Sequence, residues 1–150
     1  MSTIERVRTR LLSVPLHTPF VTALRRTTTV ETVLVEITDT DGVTGWGEAP
    51  QVWQVTGDSL AGSKACLDGP IADALIGAPS DPRFTSSVVQ RAVVANRSAK
   101  MAADIALHDL AARRAGVPLA QHLATYAGLT GVAASRVRTD VTLAAGEPGA

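Results

Sequence analysis

The chain has 150 residues, enough for one ordinary domain with a real core, and 45% of them are hydrophobic, which excludes a disordered chain. Lysine plus arginine and aspartate plus glutamate number 14 each, so the formal net charge is zero and there is no electrostatic case for nucleic acid or an anionic membrane as partner. No apolar run approaches a membrane span, the N-terminus MSTIERVRTRLLSVPL breaks its apolar residues with charge in a way a secretion signal does not, and Cys66 is the only cysteine, which excludes an internal disulfide; a cytoplasmic address is the expectation.

Residues 3–14 interleave Ile4, Leu11 and other apolar side chains with Arg6, Arg8 and Arg10, and read as a strand. The segment after it has two prolines, three consecutive threonines and adjacent arginines without a clean period, which predicts a loop from about 15 to 29. ETVLVEIT (31–38) alternates again, with Val33, Val35 and Ile37 on one side. Asp41-Gly42 is a strong hairpin signal, and VTGWGEA (43–49) is the return strand, giving a three-stranded antiparallel meander.

From Asp58 onward apolar residues recur at helical spacing. Asp58 or Thr56 can cap the first helix, and Pro70 should kink or split it. Asp81-Pro82 starts a second helix with Val88, Val89, Ala92 and Val93 as its buried stripe. Ser98 caps a third, which buries Met101, Ala102, Ile105, Ala106 and Ala112 and ends at Gly116 and Pro118. LAQHLATY adds a short fourth turn or helix. Strands followed by helices indicate an α+β domain, which closes by about residue 127. Residues 128–136 read as a linker. TDVTL then starts a strand, from about 137, whose pairing partner does not occur in the sequence.

The glycines of GVTGWGEAP (42–50) are spaced G-x-x-G-x-G, the reverse of the dinucleotide fingerprint, and do not join a strand to a helix. They read as glycines of a hairpin and a strand bend. Trp46 and Glu48 read as sheet residues. His17, His108 and His122 have no partners at metal-ligand spacing, and His108 reads as a helix-surface or interface histidine. Asp109, on a helix with little other charge, suggests a buried carboxylate with a structural hydrogen bond. There is no carboxylate pair, nucleophile with a base, or metal triad. Arg25 and Arg26 fall in the long segment 15–29. A guanidinium there could grip a carboxylate, or the two could be a solvated pair of charges.

PLHTPFVTALRRTTTVETVLVEITDTDGVTGWGEAPQVWQVTGDS resembles the N-terminal capping domain of the enolase superfamily, in its mandelate racemase/muconate lactonizing enzyme branch. NRSAKMAADIALHDLAARRAGVPLAQHL resembles the third helix of that domain and the turn after it, and TDVTL the first strand of the (β/α)8 barrel that follows. PFVTALR, WGEAP and VTGDS are especially similar to the dipeptide epimerases of the L-Ala-D/L-Glu type. Muconate cycloisomerase, N-acylamino acid racemase/o-succinylbenzoate synthase and a stand-alone, non-catalytic binding module are the alternatives.

The resemblance implies a capping domain over 1–127, a linker over 128–136, and the start of a truncated barrel over 137–150. It implies an isomerase acting by 1,1-proton transfer at the carbon α to a carboxylate, with Mg²⁺ as cofactor. The two catalytic lysines and three carboxylate metal ligands would lie on later barrel strands, so the 150 residues alone are expected to be inactive. Two cap loops, 17–28 and 50–57, would close over the substrate. Arg25 corresponds to the arginine that grips the acidic side chain, Thr142 to a pocket-lining threonine, and Phe20 and Val55 to pocket walls. Trp53 departs from the smaller residue expected in the second loop. Expected partners are a small carboxylate or dipeptide, the remainder of the barrel and further copies in a homo-oligomer.

Overall fold

Three strands, β1 (Ile4–Val21), β2 (Arg26–Asp39) and β3 (Thr44–Pro50), pair antiparallel in the order β1-β2-β3. The computed structural model describes residues 2–22, 25–53, 55–130 and 136–140. Alternation sets the register: Thr9, Val35 and Gly47 lie opposite one another, as do Leu11, Val33 and Ala49. Val33, Val35 and Ile37 are fully buried on one face beneath the helices. The β2–β3 hairpin turns at Gly42 (φ +80°), which an L side chain would strain. Asp39 locks that turn by accepting from the backbone N–H groups of Asp41 and Val43, 3.0 Å each. Arg114, from a later helix, grips both Asp39 and Asp41.

The expected loop over 15–29 is instead a continuation of both strands as a two-stranded ribbon. Val14 pairs with Val30 and Phe20 with Thr27, and the register shifts between Pro15 and Phe20. Both prolines lie on β1, an edge strand of the sheet, where proline is tolerated. Beyond the helices the ribbon has no deeply buried face, so no hydrophobic alternation marks it in the sequence.

Among the described residues the α-helices that follow are α1 (Leu60–Cys66), α2 (Ala72–Leu75), α3 (Pro82–Ala92), α4 (Arg97–Ala115) and α5 (Leu119–Tyr126), with a π-helical turn over Leu67–Ile71 between the first two. The break expected at Pro70 lies between α1 and α2, where Gly69 leaves helical geometry (φ −105°, ψ −108°). Asp81 caps α3 as expected, accepting from Arg83 N at 2.9 Å. Val89 is fully buried there with Pro82 and Thr85, while Val88, Ala92 and Val93 are half-buried.

Two expected caps differ. Ser59, not Asp58 or Thr56, caps α1, its hydroxyl accepting from Gly62 N at 2.9 Å. Asp58 reaches across instead to Ser98, accepting from its backbone N at 3.0 Å and its Oγ at 2.7 Å. Ser98 is therefore the donor, inside the first turn of α4, with Asn96 preceding the helix in the left-handed region (φ 47°). A capping side chain far away in sequence leaves no local signal.

Helix α4 packs on β3 through small residues. Ala99, Ala102, Ala103 and Ala106 are fully buried with Leu107 and Leu110, and Ala112 is nearly so. Met101 and Ile105, expected in this face, are 44% and 39% exposed. The close approach selects small size rather than hydropathy, and the larger side chains fall at the edge of the contact. Gly45 and Gly47 explain the rest. A Cβ at either would overlap the α4 backbone, at Ala106 O and Ala102 O respectively. Only Gly42 is a turn glycine; Gly45 and Gly47 are regular strand residues that admit the helix, not a bend. Asp109 has the structural bond expected of it, accepting from Trp46 N at 3.0 Å on the outer edge of β3 and from Arg113 Nε at 2.7 Å. The carboxylate thereby covers an N–H that an edge strand would leave open.

Candidate functional site

The buried face of β2 does not stop where the helices stop. Ile37, Val35 and Val33 alternate along β2 into Glu31, Thr29 and Thr27, with Arg25 just before the strand, and Ala49 on β3 is followed by Gln51 just past it. The face thus turns from apolar to polar at the Glu31–Gln51 pair. Past that point Arg25, Arg26, Thr27, Thr29, Glu31, Gln51 and Trp53 line a cavity of about 180 Å³.

The ribbon tip presents Arg25. Thr22 N donates to Arg25 O at 2.8 Å, and Arg25 N donates to Thr22 Oγ1 at 3.2 Å. The opposite wall belongs to the segment after β3, where Val55 N and Thr56 N both donate to Val52 O, at 3.1 and 3.0 Å. This turn leaves Trp53 and Val55 exposed, 57% and 76%. The two segments expected as substrate loops, 17–28 and 50–57, therefore meet in one cleft. Of the expected residues, Arg25 lines it. Phe20 sits half-buried across from Thr27 without lining it, and Val55 stands outside it. Thr142 lies outside the described residues, as does the strand expected there from residue 141 on; residues 136–140 are exposed without regular structure.

Two guanidinium groups, hydroxyls, a carboxamide and the Glu31 carboxylate surround the small cavity, and it is the guanidinium groups that suit charge-assisted hydrogen bonds to a carboxylate. They do not supply a proton-transfer pair. Among the described residues no three His, Cys, Asp or Glu side chains converge to hold a metal ion. The resemblance expects the ligands of Mg²⁺ on later barrel strands, not among these residues. Burial pushes the Cys66 thiol above its usual range, which makes it a poor nucleophile.

A second cavity, about 590 Å³, opens among α3, α4 and α5, but its charged side chains serve the fold. Arg83 pairs with Asp81, whose carboxyl is held below its usual range by that guanidinium, and Arg114 pairs with Asp39 and Asp41. Beside it His108, buried in the α4–α5 interface, meets His122 (Nδ1 to Nε2, 3.0 Å) and the edge of Tyr126. Sequence spacing did not link these histidines, because α5 returns along α4 only after the left-handed turn at Gly116 (φ 67°).

A family model for the mandelate racemase/muconate lactonizing enzyme N-terminal domain matches residues 4–124. The chain belongs to this family. The L-amino acid-D/L-Glu epimerase of Francisella philomiragia is 34% identical over 147 residues, covering 97% of this chain and 39% of the relative. The L-Ala-D/L-Glu epimerase of Bacillus subtilis is 36% identical over 147 residues, covering 97% and 38%. A crystal structure of a dipeptide epimerase from Cytophaga hutchinsonii, complexed with Mg and the dipeptide D-Ala-L-Val, superposes with a TM-score of 0.82 at 31% identity, over 97% of this chain and 38% of that one. The chain thus spans 38–39% of the length of these curated relatives. Among the described residues no helix is long and apolar enough to cross a membrane.

Proposed function

We propose that this chain is the capping portion of a dipeptide epimerase, with residues 1–127 as the cap, 128–136 as a linker and 137–150 as the start of a barrel. The whole protein would invert a carbon α to a carboxylate by removing and returning a proton, chemistry to which Mg²⁺, held by residues outside this segment, would supply charge stabilisation. The cap would close over the barrel mouth, exclude water and select the substrate side chain. The supporting observation is the cleft, which Arg25 at the ribbon tip and Trp53 on the segment after β3 line together. Such a cap lines the substrate with binding groups and leaves proton transfer to other residues, as the composition of this cleft does. Further copies in a homo-oligomer and a cytoplasmic setting belong to the same reading.

The test is α-proton exchange in D2O, followed by NMR on L-Ala-L-Glu with Mg²⁺. The full-length protein should exchange the glutamyl α-proton and the purified 150-residue chain should not. Exchange by the short chain, or none by the full-length protein on any dipeptide, would contradict the reading.

A further inference from the structure

Gln51 sits where the buried sheet face becomes the cleft, and its one carboxamide makes two different bonds. Its Oε1 accepts from Leu60 N at 3.0 Å, and its Nε2 donates to Glu31 Oε2 at 3.3 Å. A backbone N–H can only donate, so the oxygen must face Leu60 and the amino group must face Glu31. Leu60 N is an orphan donor at the start of α1, and Glu31 lines the cleft from β2. The Gln51 backbone N also donates to Glu31 O at 3.2 Å, carrying the β2–β3 ladder one step past Pro50. At the far end of the same segment, Asp58 is tied to Ser98. The stretch that displays Trp53 and Val55 is thus pinned at both ends, and only the Gln51 pin touches the cleft.

We propose that Gln51 is a positioning residue for substrate selection: by bridging Glu31 and the α1 N-terminus it fixes the distance between the Arg25 ribbon and the Trp53 wall. The inference rests on the dipeptide epimerase reading for its substrate, but not for its geometry. Loss of the Glu31 bond frees the wall to move away from the ribbon. The α-carbon chemistry is untouched, so the effect falls on KM rather than kcat.

The experiment uses the full-length protein labelled with 5-fluorotryptophan at pH 7.5, with the position-53 resonance assigned by its loss in Trp53→Phe. Gln51→Glu keeps an acceptor for Leu60 N but sets a second carboxylate against Glu31. Combining it with Glu31→Gln exchanges donor and acceptor and restores the bridge. The single variant should shift or broaden the Trp53 resonance and raise KM for L-Ala-L-Glu about ten-fold with kcat within about two-fold. The double variant should return both. An unmoved resonance in the single variant, or a resonance or KM that the double variant fails to restore, would overturn the proposal. If wild type turns over no dipeptide, the epimerase reading falls, and the fluorine resonance alone still decides the role of Gln51.

Discussion

A methyl group at position 47 would collide with the carbonyl of Ala102, while one at position 42 would meet open space. The two glycines look alike in the sequence and do different work. Gly47→Ala must push α4 off β3, the central contact of the fold, and should cost more than about 3 kcal/mol, the range of severe overpacking. Gly42→Ala has only its φ of +80° to strain and should cost about 1 kcal/mol. Urea denaturation of both variants checks the order, and equal losses would contradict the packing account. Why the sequence misread the motif follows from the same contact. The spacing shows glycines near a hairpin, but the atom that excludes a side chain belongs to a helix more than fifty residues away. Asp58 is the same case, a helix cap whose helix is remote.

Helix α5 has no fully buried residue of its own and docks on α4 through the His108–His122–Tyr126 cluster. Burial, chiefly, pushes the pKa of His108 below its ordinary value; His122 acts in the same direction and Asp104 opposes them. The folded state therefore binds fewer protons at this site than the unfolded chain. The stability this contributes is complete above the unfolded value of about 6.5 and is lost as pH falls through the folded value. Melting curves between pH 8 and 5 should fall with acid, and the fall should shrink in His108→Leu. An unchanged slope in that variant would assign the acid sensitivity elsewhere. At this scale the sequence was most readable where a core imposes a period. The strand over 31–38, the Asp41-Gly42 hairpin and the Asp81-Pro82 start appear as expected, because each depends on neighbours in the chain. The ribbon was illegible because an exposed β-pair has no buried side to write a pattern.

One continuous sheet face runs through the described residues. Its apolar half, from Ile37 to Val33, carries the helices, and its polar half, from Glu31 to Arg25, forms the cleft. The family was readable in the sequence from its motifs, and with it the two segments that meet in the cleft. The bonds of Gln51 were not, because a carboxamide acquires a role only when its partners are in place. Both arginines line the cleft, Arg25 half-buried just before β2 and Arg26, the first residue of β2, exposed. Under the proposed function it is Arg25, the more buried of the two, and not Arg26 that grips an acidic substrate side chain. The direct measurement is kcat/KM of the full-length protein for L-Ala-L-Glu against L-Ala-L-Leu, in wild type, Arg25→Met and Arg26→Met. A lost charge-assisted contact is worth about 1.5–3 kcal/mol, so Arg25→Met should lower the ratio roughly ten- to a hundred-fold, with Tm nearly unchanged. Arg26→Met should leave it within about two-fold. A ratio unmoved by Arg25→Met, or moved equally by Arg26→Met, would contradict the account.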